Sequence, residues 1–111
     1  MMAARGIPRW LMERLGQDVT VEPYAGAGPF GKTYGPPIVV RALVDNRRRR
    51  VRSASGDEVV SETTLRMQLG EECPVESRVT LPDGRQAEVI TSAEIDGRSL
   101  PVPSHREVAL T

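Results

Sequence analysis

The apolar positions along this chain predict one short helix near the start and then a series of short strands, several of them with two-residue alternation. Residues 7–15, IPRWLMERL, set Ile7, Trp10, Leu11 and Leu15 at i, i+3, i+4 and i+8, which is one face of a helix. Pro8 suits a first helical position and Gly16 a stop. A helix this short does not persist alone, so it must dock, either on the domain's own core or on a neighbour. Trp10, Leu11 and Leu15 are the candidate docking residues. The single tryptophan either caps the core or anchors an interface, as buried tryptophans often do.

From residue 17 the period changes to two. Residues 17–22 predict a strand with Val19 and Val21 on one face and Thr20 and Glu22 on the other. The stretch 23–37, PYAGAGPFGKTYGPP, is rich in glycine and proline and reads as a long loop without regular structure, a kind that is commonly functional or mobile. Its glycines match no nucleotide fingerprint, and no Walker pattern follows Lys32. Residues 38–45, IVVRALVD, are apolar on nearly both faces and predict a central, buried strand. Residues 58–69 predict a long, half-exposed strand. There Val59, Leu65, Met67 and Leu69 share one parity, and Glu62, Thr64, Arg66 and Gln68 the other. Between these two strands, segment 46–57 reads as the extended tip of a hairpin.

Residues 78–81 and 85–91 flank Pro82-Asp83-Gly84, the chemistry of a tight hairpin turn. Ala93 and Ile95 prolong the second of these strands towards an Asp96-Gly97 turn, and 105–110 predict a last strand with Val108 and Leu110 inward. Short strands at this spacing make a small antiparallel barrel or sandwich. The expected fold is all-β: an antiparallel β-barrel of about six strands with a short N-terminal helix. It divides into a docking segment at 1–16 and one barrel domain at 17–111, with extended loops at 23–37 and 46–57.

Composition narrows the chemistry. A chain of 111 residues is one domain. Its aromatics are Trp10, Tyr24, Phe30 and Tyr34, so the core must be aliphatic, and valine leads with 13 residues. Cys73 is the only cysteine, so no intrachain disulfide forms; it precedes Pro74 in a turn-like stretch and reads as structurally incidental. No apolar run approaches a membrane span, and the N-terminus lacks the form of a signal peptide. The expectation is a soluble protein made in a cytoplasm. His105 is the sole histidine. A catalytic triad needs a nucleophile and an orienting acid beside it, and zinc needs several Cys and His ligands. No enzyme activity, metal or cofactor is therefore expected. The acidic pairs Asp57-Glu58 and Glu71-Glu72 read as solvated turn charge.

Charge supplies the one unusual feature. The chain carries 15 basic and 15 acidic residues and is neutral overall. One third of the positive charge is Arg47, Arg48, Arg49, Arg50 and Arg52, interrupted only by Val51. Such a block is often a solvated, tail-like segment, here held by nearby carboxylates; otherwise it faces a polyanion or a partner's acids. Arginine outnumbers lysine 14 to 1. Its planar fork suits phosphate, although a GC-rich genome produces the same bias.

The order DVTVEPY, a Gly/Pro loop, PPIVVRALVD, the arginine run, ASGDEVVSETTL, CPVESRVTLPDGR and HREVAL resembles the small head-completion proteins of tailed double-stranded DNA bacteriophages, called head-to-tail stoppers in actinobacterial phages. The resemblance runs from about residue 18 to 110, and VTVEPY, GDEVVSETT and VTLPDGR carry most of it. It implies a compact β-barrel that assembles into a cyclic ring of six or twelve copies in the virion neck, assembled in the host cytoplasm. The portal or adaptor ring would lie above, tail terminator or tail tube proteins below, and packaged DNA in the channel. It also implies that the connection holding the arginine run reaches that channel and helps retain the genome. Repeated round an axis, so much charge would grip DNA too firmly to release it. Some of the arginines are therefore expected to pair with acids, in Asp57 and Glu58 or on a neighbour. The alternative is a free nucleic-acid-binding barrel of the OB type, which needs aromatic stacking platforms on a basic groove.

Overall fold

The computed structural model describes residues 6–95 and 104–111; the Asp96-Gly97 turn expected from the sequence lies outside them. The elements in chain order are α1 (Arg9–Leu15), β1 (Gln17–Glu22), β2 (Tyr24–Gly28), β3 (Gly31–Tyr34), β4 (Ile38–Asp45), β5 (Arg49–Arg52), β6 (Glu58–Ser61), β7 (Thr63–Met67), β8 (Arg78–Thr80), β9 (Gln86–Ile95) and β10 (His105–Leu110). Six strands close into an antiparallel barrel in the order β1-β4-β7-β10-β9-β8, with β8 returning to β1. Two further hairpins, β2–β3 and β5–β6, stand apart as two-stranded sheets.

Alternation builds the barrel. Val19 and Val21 on β1, Val40 and Ala42 on β4, Leu65 and Met67 on β7, Val79 on β8, Ala87 and Val89 on β9, and Val108 and Leu110 on β10 all point inward and are buried. Leu81 and Cys73 complete this core, which contains no aromatic ring. Small β-branched side chains fit because the interior of a six-stranded barrel is narrow, and they also suit the pleated strand. The β8–β9 connection is the tight turn expected of Pro82-Asp83-Gly84. Gly84 has φ +92°, the Asp83 carboxylate accepts from Arg85 N–H at 2.9 Å, and Leu81 N–H bonds Arg85 C=O at 2.8 Å.

Five expectations need correction. The Gly/Pro stretch 23–37 is not irregular: β2 and β3 form a hairpin within it, with Tyr24 opposite Tyr34. Gly26 and Gly31 make this possible at φ +118° and +108°, where a side chain would be strained. The arginine run is only partly a loop, since Arg47 and Arg48 precede strand β5 whereas Arg49–Arg52 forms it, paired with β6. The expected strand 58–69 is split at Glu62 into β6 and β7 and ends at Met67. The Ser61 hydroxyl marks the break by donating to Leu110 C=O at 2.9 Å and Thr63 C=O at 3.0 Å. Strand β4 is buried on one face only, because Val39 is 65% exposed while Val40 and Ala42 are buried.

The helix is the fifth correction. Its one buried residue is Met12, and Ile7 just before the helix is buried as well, whereas Trp10 (64% exposed) and Leu15 stand in solvent. Trp10 therefore does not cap the core. Polar contacts dock α1 on its own barrel. The Gln68 side chain accepts from Ile7 N–H at 3.0 Å and donates to Ile7 C=O at 2.7 Å. Arg41 donates to the carbonyls of Met12 and Glu13 at 3.2 and 3.0 Å, satisfying acceptors that a helix C-terminus leaves open. Gly16 is the stop, with a β-region φ of −68°; a Cβ there would collide with the Met12 carbonyl and crowd Arg41.

The core assignment is tested by Leu65→Ala. Truncating a fully buried leucine costs about 3 kcal/mol, to be read from the urea midpoint. A loss under about 0.5 kcal/mol, the scale of an ordinary surface substitution, would mean that Leu65 is not part of the packed interior.

Candidate functional site

Strand β4 ends at Asp45, and the chain leaves the barrel there to form the β5–β6 arm before re-entering at Thr63. Asp45 pairs with Thr64 in the β4–β7 register, so the arm springs from two adjacent barrel strands. Since Val44, Leu65 and Val108 point inward or pack on the core, the opposite parity puts Asp45, Thr64, Arg66, Glu107 and Ala109 on the outer wall. Arg66 stands opposite Glu107, and Thr64 opposite Ala109, in the β7–β10 register.

This outer row receives the first arginines of the run. Arg47 makes a bidentate contact with Asp45, its Nε and Nη2 donating at 3.0 and 2.7 Å. Arg66 reaches Asp45 Oδ2 at 3.6 Å and Glu107 Oε1 at 3.4 Å. Arg49 donates to Glu107 Oε2 at 3.2 Å, and Arg48 pairs with Glu62 at 3.1 Å. His105 Nε2 lies 3.8 Å from Glu107 Oε1. Between these groups is a hollow of about 230 Å³ lined by Asp45, Arg47, Arg48, Arg49, Thr64 and Arg66.

Alternation along β5 sends the remaining arginines elsewhere. Arg50 and Arg52 share the parity opposite to Arg49 and half-buried Val51. Arg50 pairs with Glu58 at 3.4 Å, and Arg52 donates to Gly56 C=O at 2.6 Å, both within the hairpin itself. The sequence block is thus two groups. Arg47, Arg48 and Arg49 line one hollow together with Arg66, while Arg50 and Arg52 share the other face of the arm. Pairing of Glu58 with the run was expected and is present. Asp57 instead accepts from the Ser55 hydroxyl at 3.2 Å, and its carbonyl from Ser53 N–H at 2.8 Å, shaping the turn.

The Arg47 guanidinium pulls the Asp45 carboxyl down to about 2, against a smaller opposing effect of partial burial, and Asp45 in turn raises Arg47. Asp45 is therefore anionic at any ordinary pH. Burial pushes the Cys73 thiol up to about 12, with Arg106 opposing, so it is a packing residue and not a nucleophile. Elsewhere on the surface, Arg78 lowers Glu22 through two hydrogen bonds of 2.8 Å. Among the described residues no cluster of three or more His, Cys, Asp or Glu is placed to hold a metal ion, and no helix is long and apolar enough to cross a membrane.

Trp10, Leu11 and Leu15 do not join this site, because α1 packs over Arg41 in mid-strand and the arm leaves beyond Asp45. Arg66, Glu107, Asp45 and Glu62 belong to it and were not singled out in the sequence. The available signal was the exposed parity of Glu62 and Arg66 in the strand expected at 58–69; the meeting of Arg66 with Glu107 required the β7–β10 pairing. No protein-family model matches the chain, and no curated protein matches it.

A titration and a labelling experiment test these environments. With its folded value below the ordinary 3.8, Asp45 contributes to holding the arm above that pH. That contribution is lost as pH falls through about 2, and carboxyl NMR should place the midpoint there. An Asp45 midpoint near 4 would show the Arg47 contact absent in solution. Cys73 should resist iodoacetamide at pH 8 until urea unfolds the barrel; rapid alkylation of the folded protein would place the thiol at the surface.

Proposed function

We propose that the protein is a structural virion component of a phage head–tail connector, a ring-forming stopper that joins the portal or adaptor to the tail and helps retain packaged DNA. The observation that carries this reading is the arm. Two neighbouring barrel strands are linked by a separate arm, the β5–β6 hairpin and the segment leading into it, that holds five of the chain's arginines, at the connection where the resembled family has its channel element.

Two further features support it. A closed barrel leaves no strand edge for a neighbour, so copies of this chain would associate through side chains and through the two hairpins. Exposed apolar side chains are available for that purpose: Trp10 and Leu15 on α1, and Phe30, fully exposed at the β2–β3 tip. Trp10, Leu11 and Leu15 are the proposed contacts to an adjoining subunit or ring. The carboxylate pairing of the arginines fits a channel element that must touch DNA and also let it pass.

No specific observation favours the OB alternative. Stacking on bases needs open aromatic faces beside a basic groove. Tyr24 and Tyr34 pack edge-to-face at 6.5 Å, and Arg78 lies 4.6 Å over the Tyr34 ring.

Cryo-electron microscopy of particles containing this chain tests the reading. Expected is a ring at the neck with residues 46–57 of each copy facing the axis or the adjacent copy; a ring with this segment on its outer wall would sink the channel role. Trp10→Ala should leave the melting temperature unchanged and weaken neck assembly by about 2 kcal/mol, the scale of an interface anchor. Wild-type assembly by that variant would remove Trp10 from the interface.

A further inference from the structure

We infer that the hollow formed by Arg47, Arg48, Arg49 and Arg66 is a seat for one phosphate group. Sequence alone makes the run a uniform basic block; the structure divides it and adds Arg66 from the barrel wall. Four guanidiniums surround the hollow, and the carboxylates that hold them are Asp45, Glu62 and Glu107. Four cations against three anions leave one positive charge, which matches the single negative charge of a phosphodiester.

The carboxylates also prepare the site. Each guanidinium carries five N–H donors in a fixed plane. Glu62 engages Arg48 at its Nε, Glu107 engages Arg49 at Nη2, and Asp45 engages Arg47 at Nε and Nη2. These contacts fix the planes and leave further donor directions on each group. Thr64, buried between Asp45 and Ala109 in the sheet, also lines the hollow. Arginine binds phosphate oxygens through such paired N–H groups. Because neighbouring carboxylates already offset most of the charge, binding is expected to be weak and salt-sensitive. An element that slides along or releases a polyanion needs that property.

The anion chemistry stands on this geometry; the assignment of its source to a DNA backbone rests on the connector reading. The test uses the whole chain. Inorganic phosphate should shift the amide resonances of residues 47–49, 64 and 66. Arg66→Gln should weaken that binding about tenfold, the scale of a charge-assisted hydrogen bond. Asp45 and Glu107 keep Arg47 and Arg49 as partners in that variant, so the fold should persist. Asp45→Asn, which keeps an acceptor oxygen to orient Arg47 but removes a competing charge from the rim, should tighten binding. Arg14→Gln, an exposed arginine on α1, removes the same charge at a distance and should change affinity less than twofold. Resonance shifts elsewhere, or an equal loss in the Arg14 and Arg66 variants, would overturn the seat and leave only diffuse charge attraction. A labelled DNA duplex forms the second arm. Duplex binding that falls with Arg66→Gln identifies a backbone phosphodiester, whereas binding of inorganic phosphate alone identifies a free anion and detaches the seat from the connector role. Failure of ring assembly would count against the connector and leave the seat standing.

Discussion

Closure of the six-stranded sheet is the constraint on which everything else depends. With β8 paired to β1, each barrel strand has two partners, and the backbone groups that would template aggregation are satisfied. Closure also makes the interior narrow, which explains a core of valine, leucine and methionine without aromatic rings. Chain not needed for the barrel is expelled as hairpins. Strand β4 shows this from both ends: β2–β3 precedes Ile38, and β5–β6 follows Asp45.

The second organising interaction is charge compensation across the outer row of β4, β7 and β10. Five arginines in six positions repel one another, and a strand places alternate residues on opposite faces. The fold uses that alternation to separate them. Arg49 turns towards Glu107 on the barrel, whereas Arg50 and Arg52 turn to Glu58 and Gly56 on the hairpin. Exposed ion pairs contribute little individually to stability. Their role here is to orient guanidinium planes and lower net charge, so that the run forms a defined surface.

Where local chemistry dictates conformation, the sequence was legible. The bounds of β1 and β10 follow from alternation, those of β4 from its apolar run, and the Pro82-Asp83-Gly84 turn from its residues. The carboxylate at Glu58 was readable from its nearness to the run. Two elements misled. The glycines of 23–37 suggested irregularity, yet positive φ at Gly26 and Gly31 lets that stretch form a hairpin. The helix stripe rightly included Ile7, but it chose Trp10 and Leu15 where Met12 is the buried helix residue, because docking is set by Arg41 and Gln68, which lie far away in sequence. Spacing on one element carries no information about which face its partner occupies.

By itself, the sequence determined an aliphatic β-barrel of about six strands, a short N-terminal helix, and a concentration of arginine between two neighbouring strands. Period and turn chemistry act over a few residues, and those features need nothing more. Only the tertiary structure decided that the arginine block is two groups, that Arg66 joins the first, and that Asp45, Glu62 and Glu107 hold it in place. Arg66 and Glu107 are 41 positions apart in the chain and become neighbours through the β7–β10 register. The fields of such groups act through space, so their balance exists only once the barrel has closed.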